Sequence, residues 1–279
     1  MIYQGADAPA SMTLADVVTN IGCVARDAVV NTGKDIIYVD HSGVRSLGRT
    51  IQEKSAPIGD VSRNVNFDIK QFIASDAANV KTIFDPNNSF ILVVFTGLKV
   101  IYVFDTRFPL EDGSLRATTW SAIEPLCMAV FDDEELYLGV KEGLAKYDTN
   151  QDNGSRYVMS YFSQPMDFGD SSRLKFLKNI NLTTFAGSEA RVTLQWAYDY
   201  TANYVKRAFN LPQINVGEYD ISEFNTTAEY GSNAVLINTQ RVNASGSGQV
   251  VQVGLDTVVD GKPIAIQQLN LQSLVGRML

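Results

Sequence analysis

The sequence predicts an all-β protein, with partial β-propeller-like blades followed by a β-sandwich domain. Short runs rich in β-branched and aromatic residues, such as 89–94, 98–104 and 135–140, are separated by Asn-Asn, Thr-Gly and Glu-Gly turn signals. Beyond residue 155 the runs become longer and alternate between apolar and polar residues, which is typical of sheets buried on one face. A chain of 279 residues is long enough for two ordinary domains.

Two short helices are expected in the first part of the chain. Residues 11–20 have helical spacing of apolar residues, with Thr13 as a possible N-cap. Residues 66–74 predict the second helix, with Asn66 or Asp68 as its cap. The apolar side chains expected on one face of this second helix are Phe67, Ile69, Phe72 and Ile73.

Short strands grouped into two similar units predict propeller blades. The predicted strands are residues 36–39, 44–47, 80–84, 90–95, 99–104, 126–131, 135–140 and 144–148. Residues 104–106 and 147–149 both read aromatic-Asp-Thr, which gives a repeat of about 43 residues, as expected for four-stranded blades. Residues 108–119 are interpreted as a polar connection between the units. A complete propeller needs more blades than this, so the ring is either partial or completed by another chain.

The second part of the chain predicts a β-sandwich. Its predicted strands are residues 157–162, 174–185, 189–198, 234–242, 249–257 and 264–274. Strict alternation places Val192, Leu194 and Trp196 on one face, so Trp196 is expected inside the sandwich. With residues 149–155 as a polar linker, the predicted domains are 1–150, propeller-like and incomplete, and 155–279, the sandwich.

The charge of the chain is acidic and unevenly distributed. Residues 1–150 contain 20 acidic and 13 basic side chains, a net charge of −7, and residues 151–279 contain 11 and 10, a net charge of −1. Nonspecific binding of nucleic acid depends on Lys and Arg that neutralise phosphates, so this composition argues against it. It is compatible with DNA that slides past without binding.

Cysteine use and hydropathy limit the remaining protein classes. Cys23 and Cys127 lie among apolar residues and are predicted to be buried free thiols, with a disulfide as the alternative. The sequence shows no zinc-site spacing and no cofactor motif, and no apolar run approaches the ~20 residues of a membrane span. Residues 1–10 lack the pattern of a signal peptide, so we expect synthesis in a cytoplasm.

The densest acidic run consists of Asp132, Asp133, Glu134 and Glu135. An enzymatic interpretation would make it a carboxylate pair for glycoside hydrolysis, but that chemistry needs two carboxylates fixed on opposite sides of a sugar. Neighbours in one turn point in alternate directions and stay solvated. A cation site is a second alternative, and a charged hairpin turn is the favoured interpretation.

Three other motifs resemble a catalytic triad, a calcium loop and a phosphate loop, but each lacks a required feature. His41 lies between Asp40 and Ser42, but three neighbours in a tight turn cannot converge as a catalytic triad does. Residues 148–154 resemble the start of a calcium loop, yet the twelfth position is Met159 instead of Glu. Residues 243–249 are rich in glycine, but no Lys or helix follows, so a flexible hairpin tip is favoured over a phosphate loop.

Several stretches together resemble the tail nozzle proteins of short-tailed bacteriophages, also called tail tubular protein B or tail stabilisation proteins. The most distinctive is residues 23–47, which reads CVARDAVVNTGKDIIYVDHSGVRSL. The end of the chain is similar too, in residues 241–253, 261–263, 266–270 and 276–277. The resemblance extends over residues 15–279.

This resemblance implies a structural subunit of the virion tail and no enzymatic activity. Family members form a hexameric tube below the portal and the tail adaptor, and their propeller and sandwich domains surround the channel through which DNA leaves. It implies a homo-oligomer, contacts with the adaptor and other tail proteins, and DNA that passes without specific binding. The chain is shorter than known members, which usually carry more blades before the segment that matches residues 23–47.

Three hypotheses about function follow. The first is a nozzle subunit, in which the acidic turn at residues 132–135 faces the channel lumen and keeps DNA from adhering; the competing placement of this turn is the outer wall. The second is a tail-associated glycan-degrading enzyme on a β-scaffold. The third is a generic β-propeller adaptor that presents loops to a soluble partner.

Overall fold

The computed structural model describes residues 2–4, 10, 12–16, 22–53, 61–121, 123–148, 150–186, 190–211, 216–217, 229–230, 236–261 and 263–278. The protein is all-β, as the sequence predicts, and its described residues form several antiparallel sheets. The chain divides into two compact units, Met1–Asp148 and Thr149–Leu279. Among the described residues, the first unit contains two apolar core clusters and the second unit contains one.

The helix predicted over residues 11–20 is wrong at residues 13–16, which form a strand. β1 (Ile2–Gln4) pairs with β2 (Thr13–Asp16) in an antiparallel ladder, so residues 13–16 are extended and not helical. Residues 17–20 of the predicted helix lie outside the described part of the chain. Pairing with a distant strand overrides a weak local helix propensity, and that partner is invisible in a local pattern.

Three antiparallel meanders follow in the first unit. They are made from β3 (Val29–Asn31), β4 (Ile36–Asp40) and β5 (Gly43–Ser46); β6 (Val80–Asp85), β7 (Phe90–Phe95), β8 (Val100–Asp105) and β9 (Arg116–Trp120); and β10 (Cys127–Val130), β11 (Leu136–Val140) and β12 (Gly143–Lys146). The predicted strands are confirmed to within two residues at their ends. The predicted polar connection over residues 108–119 is wrong in its last part, because β9 begins at Arg116 and pairs with β8.

The middle meander, β6–β9, is buried on both faces. Ile91, Val93 and Phe95 share one core with β3–β5, whereas Leu92 and Val94 share another with β10–β12. Successive side chains of a strand point to opposite faces, so β7 is apolar throughout and not alternating. The three meanders therefore stack face to face, which is how the blades of a propeller pack.

Two α-helices accompany this stack. α1 (Leu47–Glu53) follows β5 directly, and α2 (Asn66–Asp76) confirms the predicted second helix, with 3₁₀ turns at Arg63–Val65 and Ala77–Asn79. Ile69 and Ile73 are buried against the first core, but Phe67 is 74% exposed, so the predicted apolar face is wrong at that residue. Neither Asn66 nor Asp68 is the cap, since α2 begins after Val65 without a side-chain cap.

The second unit is a sandwich of two sheets. Its elements are β13 (Tyr157–Phe162), β14 (Arg173–Ala186), β15 (Arg191–Tyr198), β16 (Val205–Asn210), β17 (Val216–Gly217), β18 (Glu229–Tyr230), β19 (Leu236–Asn243), β20 (Ser247–Gly248), β21 (Val251–Val259) and β22 (Ile264–Met278). One sheet has the order β13-β21-β15-β16, and in the other β14 pairs with β19, β20 and β22. β17 and β18 belong to neither sheet and form a separate parallel pair. Leu182 of the second sheet and Trp196 of the first lie in the same core, and Trp196 is completely buried, as predicted.

A β-bulge interrupts the alternation of β14. Leu177 pairs with Ser273 and Asn179 with Gln272, so Lys178 has no partner on β22. Leu177 is buried before the bulge, and Ile180 and Leu182 are buried after it. An extra residue changes which parity of the strand faces the core, so the alternation predicted for the strands beyond residue 155 does not continue unbroken through this one.

Both cysteines are free, as predicted, but they are exposed and not buried. Cys127 pairs with Gly139 on β11, and its neighbour Met128 packs against the core between the second and third meanders. Cys127 therefore occupies the outward face of a strand buried on one side. Apolar neighbours in sequence do not indicate burial in such a strand.

Candidate functional site

The acidic run forms the turn between β10 and β11. The Glu134 amide donates to the Phe131 carbonyl over 2.9 Å, and the Phe131 amide donates to the Glu135 backbone carbonyl over 3.4 Å. Glu134 has a left-handed backbone with φ of 61°. This conformation is uncommon for a residue with a Cβ, and here it closes the hairpin. Asp132, Asp133 and Glu134 are exposed and Glu135 is half-buried.

Two of the four carboxylates are engaged inside the hairpin. Asp133 accepts hydrogen bonds from the Glu135 amide over 3.1 Å and from the Tyr137 hydroxyl over 2.9 Å. Desolvation opposes the shift, but these two bonds hold the pKa of Asp133 below its usual value. Glu135 lies 3.6 Å from the Lys146 ammonium. Asp132 and Glu134 are the two acids of the turn that present their charge to the surroundings.

The geometry of the turn is better suited to electrostatic attraction or repulsion of a partner than to catalysis. All four acids belong to one solvated hairpin end, so they do not face each other across a substrate cleft as a glycosidase pair does. Within the described residues, no group of three or more His, Cys, Asp and Glu side chains could hold a metal ion. The turn can repel an anion or attract a cationic partner surface.

The outer face of the third meander, which sequence reasoning missed, presents exposed apolar residues beside the Glu135–Lys146 ion pair. Paired residues on neighbouring strands share a face, and Leu144 pairs with Gly139, which pairs with Cys127. Leu144 is 68% exposed. Phe131 is 54% exposed and its ring contacts that of Tyr137 edge-on at 4.9 Å. The alternation of β10 and β12 could have indicated this face, because it leaves Cys127 and Leu144 opposite the core.

His41 lies in an exposed turn, and the polar contacts of this hairpin are made by the neighbouring residues. The Ser42 hydroxyl donates to Asp40 over 2.6 Å, and Arg45 donates to the Ser42 oxygen over 2.7 Å. Arg45 lies 3.4 Å from Asp40, and both side chains are buried. Burial alone would raise the pKa of Asp40, but Ser42, the Gly22 amide and Arg45 hold it below its usual value. This network shapes the β4–β5 hairpin.

The glycine-rich segment 243–249 is packed against the sandwich core instead of forming a free hairpin tip. The Trp196 indole N–H donates to the Ser245 carbonyl over 2.9 Å, and the Tyr198 hydroxyl donates to it over 3.1 Å. Gly246 has φ of 103°, and a Cβ at that position would lie 2.5 Å from the Tyr198 ring. Gly246 therefore serves close packing, and not phosphate binding.

Neither a scan of the chain against models of known protein families nor a search of curated proteins found a match. The structure itself shows the all-β fold. Over the described residues, neither helix has the length and apolar character that a membrane crossing requires. The function is therefore inferred from the sequence and from the surfaces of the described residues.

Proposed function

We propose that this protein is a structural subunit of a bacteriophage tail nozzle, located in the virion tail after synthesis in the host cytoplasm. It acts by assembly and not by chemistry, as part of the channel through which DNA is ejected. The resemblance of residues 23–47 and of the C-terminal stretches supports this proposal. The proposed partners are further copies of the chain in a hexameric ring, the tail adaptor and other tail proteins.

The observation that carries the proposal is the open end of the sheet stack. The middle meander is covered on both faces, whereas the outer face of β10–β12 leaves Phe131 and Leu144 more than half exposed. In the proposed assembly, these exposed apolar side chains would contact another chain. A ring subunit needs such a side surface, because a heterologous interface that closes by rotation joins each copy to the next.

The acidic turn has a place in this proposal. Asp132 and Glu134 at the end of the β10–β11 hairpin would face the lumen and discourage adhesion of the DNA phosphates. Like charges separated by more than about 8–10 Å are screened at physiological salt, so the repulsion acts only on DNA close to the wall. DNA would then pass without specific binding.

Electron microscopy of virions tests the proposal directly. We expect this chain in a six-fold ring of the tail, below the portal and the adaptor. A location outside the tail, or a ring of another number, would contradict the proposal. Cleavage of surface polysaccharide by the purified chain would favour the glycan-degrading alternative, and a stable complex with one soluble partner would favour the adaptor alternative.

A substitution on the outer face of β10–β12 tests whether this face contacts another chain. Leu144→Glu places a charge on the exposed face of β12 without touching the core, so we expect an unchanged melting temperature and loss of incorporation into particles. Phe67→Glu, on the exposed side of α2, is the matched control and should be incorporated normally. Normal incorporation of Leu144→Glu would remove the outer face from the assembly interface.

A further inference from the structure

A cleft of about 320 Å³ opens in the first unit between the β3–β5 meander and the β6–β9 meander. The apolar residues that line it, called its floor here, are Ile37, Val61, Phe84, Ile91 and Leu115. Phe84 packs against the core, and the other four are buried members of it. The cleft is an opening between two sheets whose volume suits a side chain or a small organic molecule.

The rim of the cleft carries two cations, Lys34 and Arg49, and one carboxylate, Asp35. Asp35 is engaged locally, because it accepts hydrogen bonds from the Ser46 hydroxyl and from the Gly48 amide, the latter over 2.9 Å. It thereby ties β4 to the start of α1. Its oxygens accept from the protein's own Ser46 hydroxyl and Gly48 amide.

The two cations are not committed to carboxylates. One guanidinium nitrogen of Arg49 donates to the Gly113 carbonyl over 2.7 Å. Gly113 makes room for this contact, since a Cβ there would lie 3.1 Å from the same nitrogen. Within the described residues, neither Arg49 nor Lys34 forms an ion pair. Arg49 keeps further N–H donors in a fixed fork, a geometry that matches a carboxylate.

We propose that this cleft binds a carboxylate attached to an apolar group, presented by a peptide segment of a partner protein. Lys34 and Arg49 would bind the carboxylate at the rim, and the floor would receive the adjoining aliphatic or aromatic side chain. An inorganic anion would leave the apolar lining of the cleft without a partner, and a neutral apolar group would leave both cations without one. The proposal does not depend on the nozzle role.

The test uses the full chain and 3-phenylpropionate as the probe, with 3-phenylpropionamide as its uncharged equivalent and inorganic phosphate as the anion without an apolar part. Methyl NMR should show saturable shifts at Ile37, Ile91 and Leu115 with the carboxylate. The amide should bind more weakly, and phosphate should not displace the carboxylate at equal concentration. Shifts confined to other residues, or equal binding of acid and amide, would overturn the proposal.

Lys34→Gln is the decisive variant, because the Lys34 side chain is exposed and its replacement spares the fold. We expect carboxylate binding to weaken about three- to fivefold, the size of one partly solvated charge interaction. Lys70→Gln, an exposed change on α2, is the matched control and should bind like the unaltered protein. Unchanged binding in Lys34→Gln would refute the assigned rim.

Discussion

Trp196 shows how one residue connects the two sheets of the sandwich. Its side chain has no exposed surface, and its indole N–H donates to the Ser245 carbonyl in the glycine-rich segment. The ring therefore fills the core while its polar atom holds a loop that follows β19. A buried Trp needs such a partner, because an unsatisfied N–H in the core is costly.

Replacing Trp196 by Ala should destabilise the second unit by about 3–5 kcal/mol, since a large cavity forms and the Ser245 carbonyl loses a donor. Urea unfolding followed by circular dichroism measures this loss. Tyr161→Ala, at a half-exposed position on β13, is the control and should cost less than about 1 kcal/mol. An unchanged unfolding midpoint for Trp196→Ala would mean that the Trp196 ring contributes nothing to the core.

The lowered pKa of Asp40 predicts that the β4–β5 hairpin loses stability in acid. The folded-state pKa of Asp40 is lowered, so its contribution to stability is complete above the unfolded pKa of about 3.9 and is lost as pH falls through the folded value. Asp40→Asn should flatten the dependence of the unfolding free energy on pH below about 5. It should also cost about 3–5 kcal/mol at neutral pH, because buried Arg45 loses its carboxylate partner.

Thermal unfolding of the unaltered protein and of Asp40→Asn between pH 3 and pH 7 checks both effects. His41→Gln is a suitable control, since His41 is exposed beside the same network. It should follow the unaltered protein at every pH. Parallel pH profiles for Asp40→Asn and the unaltered protein would show that the ion pair does not govern acid stability.

At the scale of elements, β14 is the most informative strand. Lys178 is the extra residue of its bulge, and Asn179 is buried with its side-chain oxygen unpartnered. The bulge lets Leu177 and Ile180 both face the core although their positions differ in parity. Lys175, Leu177 and Asn179 are buried in the first half of the strand, and Ile180 and Leu182 are buried in the second half, so the bulge joins two halves of opposite parity.

Deleting Lys178 should leave the protein folded, because Leu177 and Ile180 keep their inward direction and only Asn179 turns outward. Deleting Asn181 from the regular part of β14 should cost more than about 4–5 kcal/mol, since a one-residue slip turns an inward set to the outer face. Circular dichroism and thermal unfolding of the two deletions compare them directly. Equal damage from both would mean that the bulge is required for more than strand parity.

At the scale of the whole molecule, the acidic charge is concentrated in residues 1–150, with a net charge of −7 against −1 for the remainder. The proposed hexameric ring would bring six copies of this −7 net charge together in one layer. The structure adds that Asp133 and Glu135 are partly engaged within their own hairpin, so Asp132 and Glu134 carry the accessible charge.

Replacing Asp132 and Glu134 by Lys tests the lumenal placement while sparing the contacts of Asp133 and Glu135. If the turn faces the lumen, DNA ejection should slow, and the deficit should shrink as salt rises, because phosphate contacts release counterions. The neutral pair Asp132→Asn and Glu134→Gln controls for loss of the acids alone. Unchanged ejection from fully assembled Lys particles would place the turn on the outer wall.

The sequence by itself determined the all-β class, most strands, the helix at α2 and the burial of Trp196. These features depend on periodicity and turn chemistry, which are local and repeat along a strand. Local patterns also placed the acidic run in a hairpin turn, because Asp132–Glu135 stands between two β-rich runs.

Tertiary structure alone decided the features that depend on distant partners. Pairing with β1 made residues 13–16 a strand, and pairing with β8 made residues 116–120 a fourth strand. The bulge at Lys178 and the outward direction of Cys127 were likewise set by neighbouring strands. A sheet joins residues far apart in sequence, so the face of each side chain depends on a register that no local pattern contains.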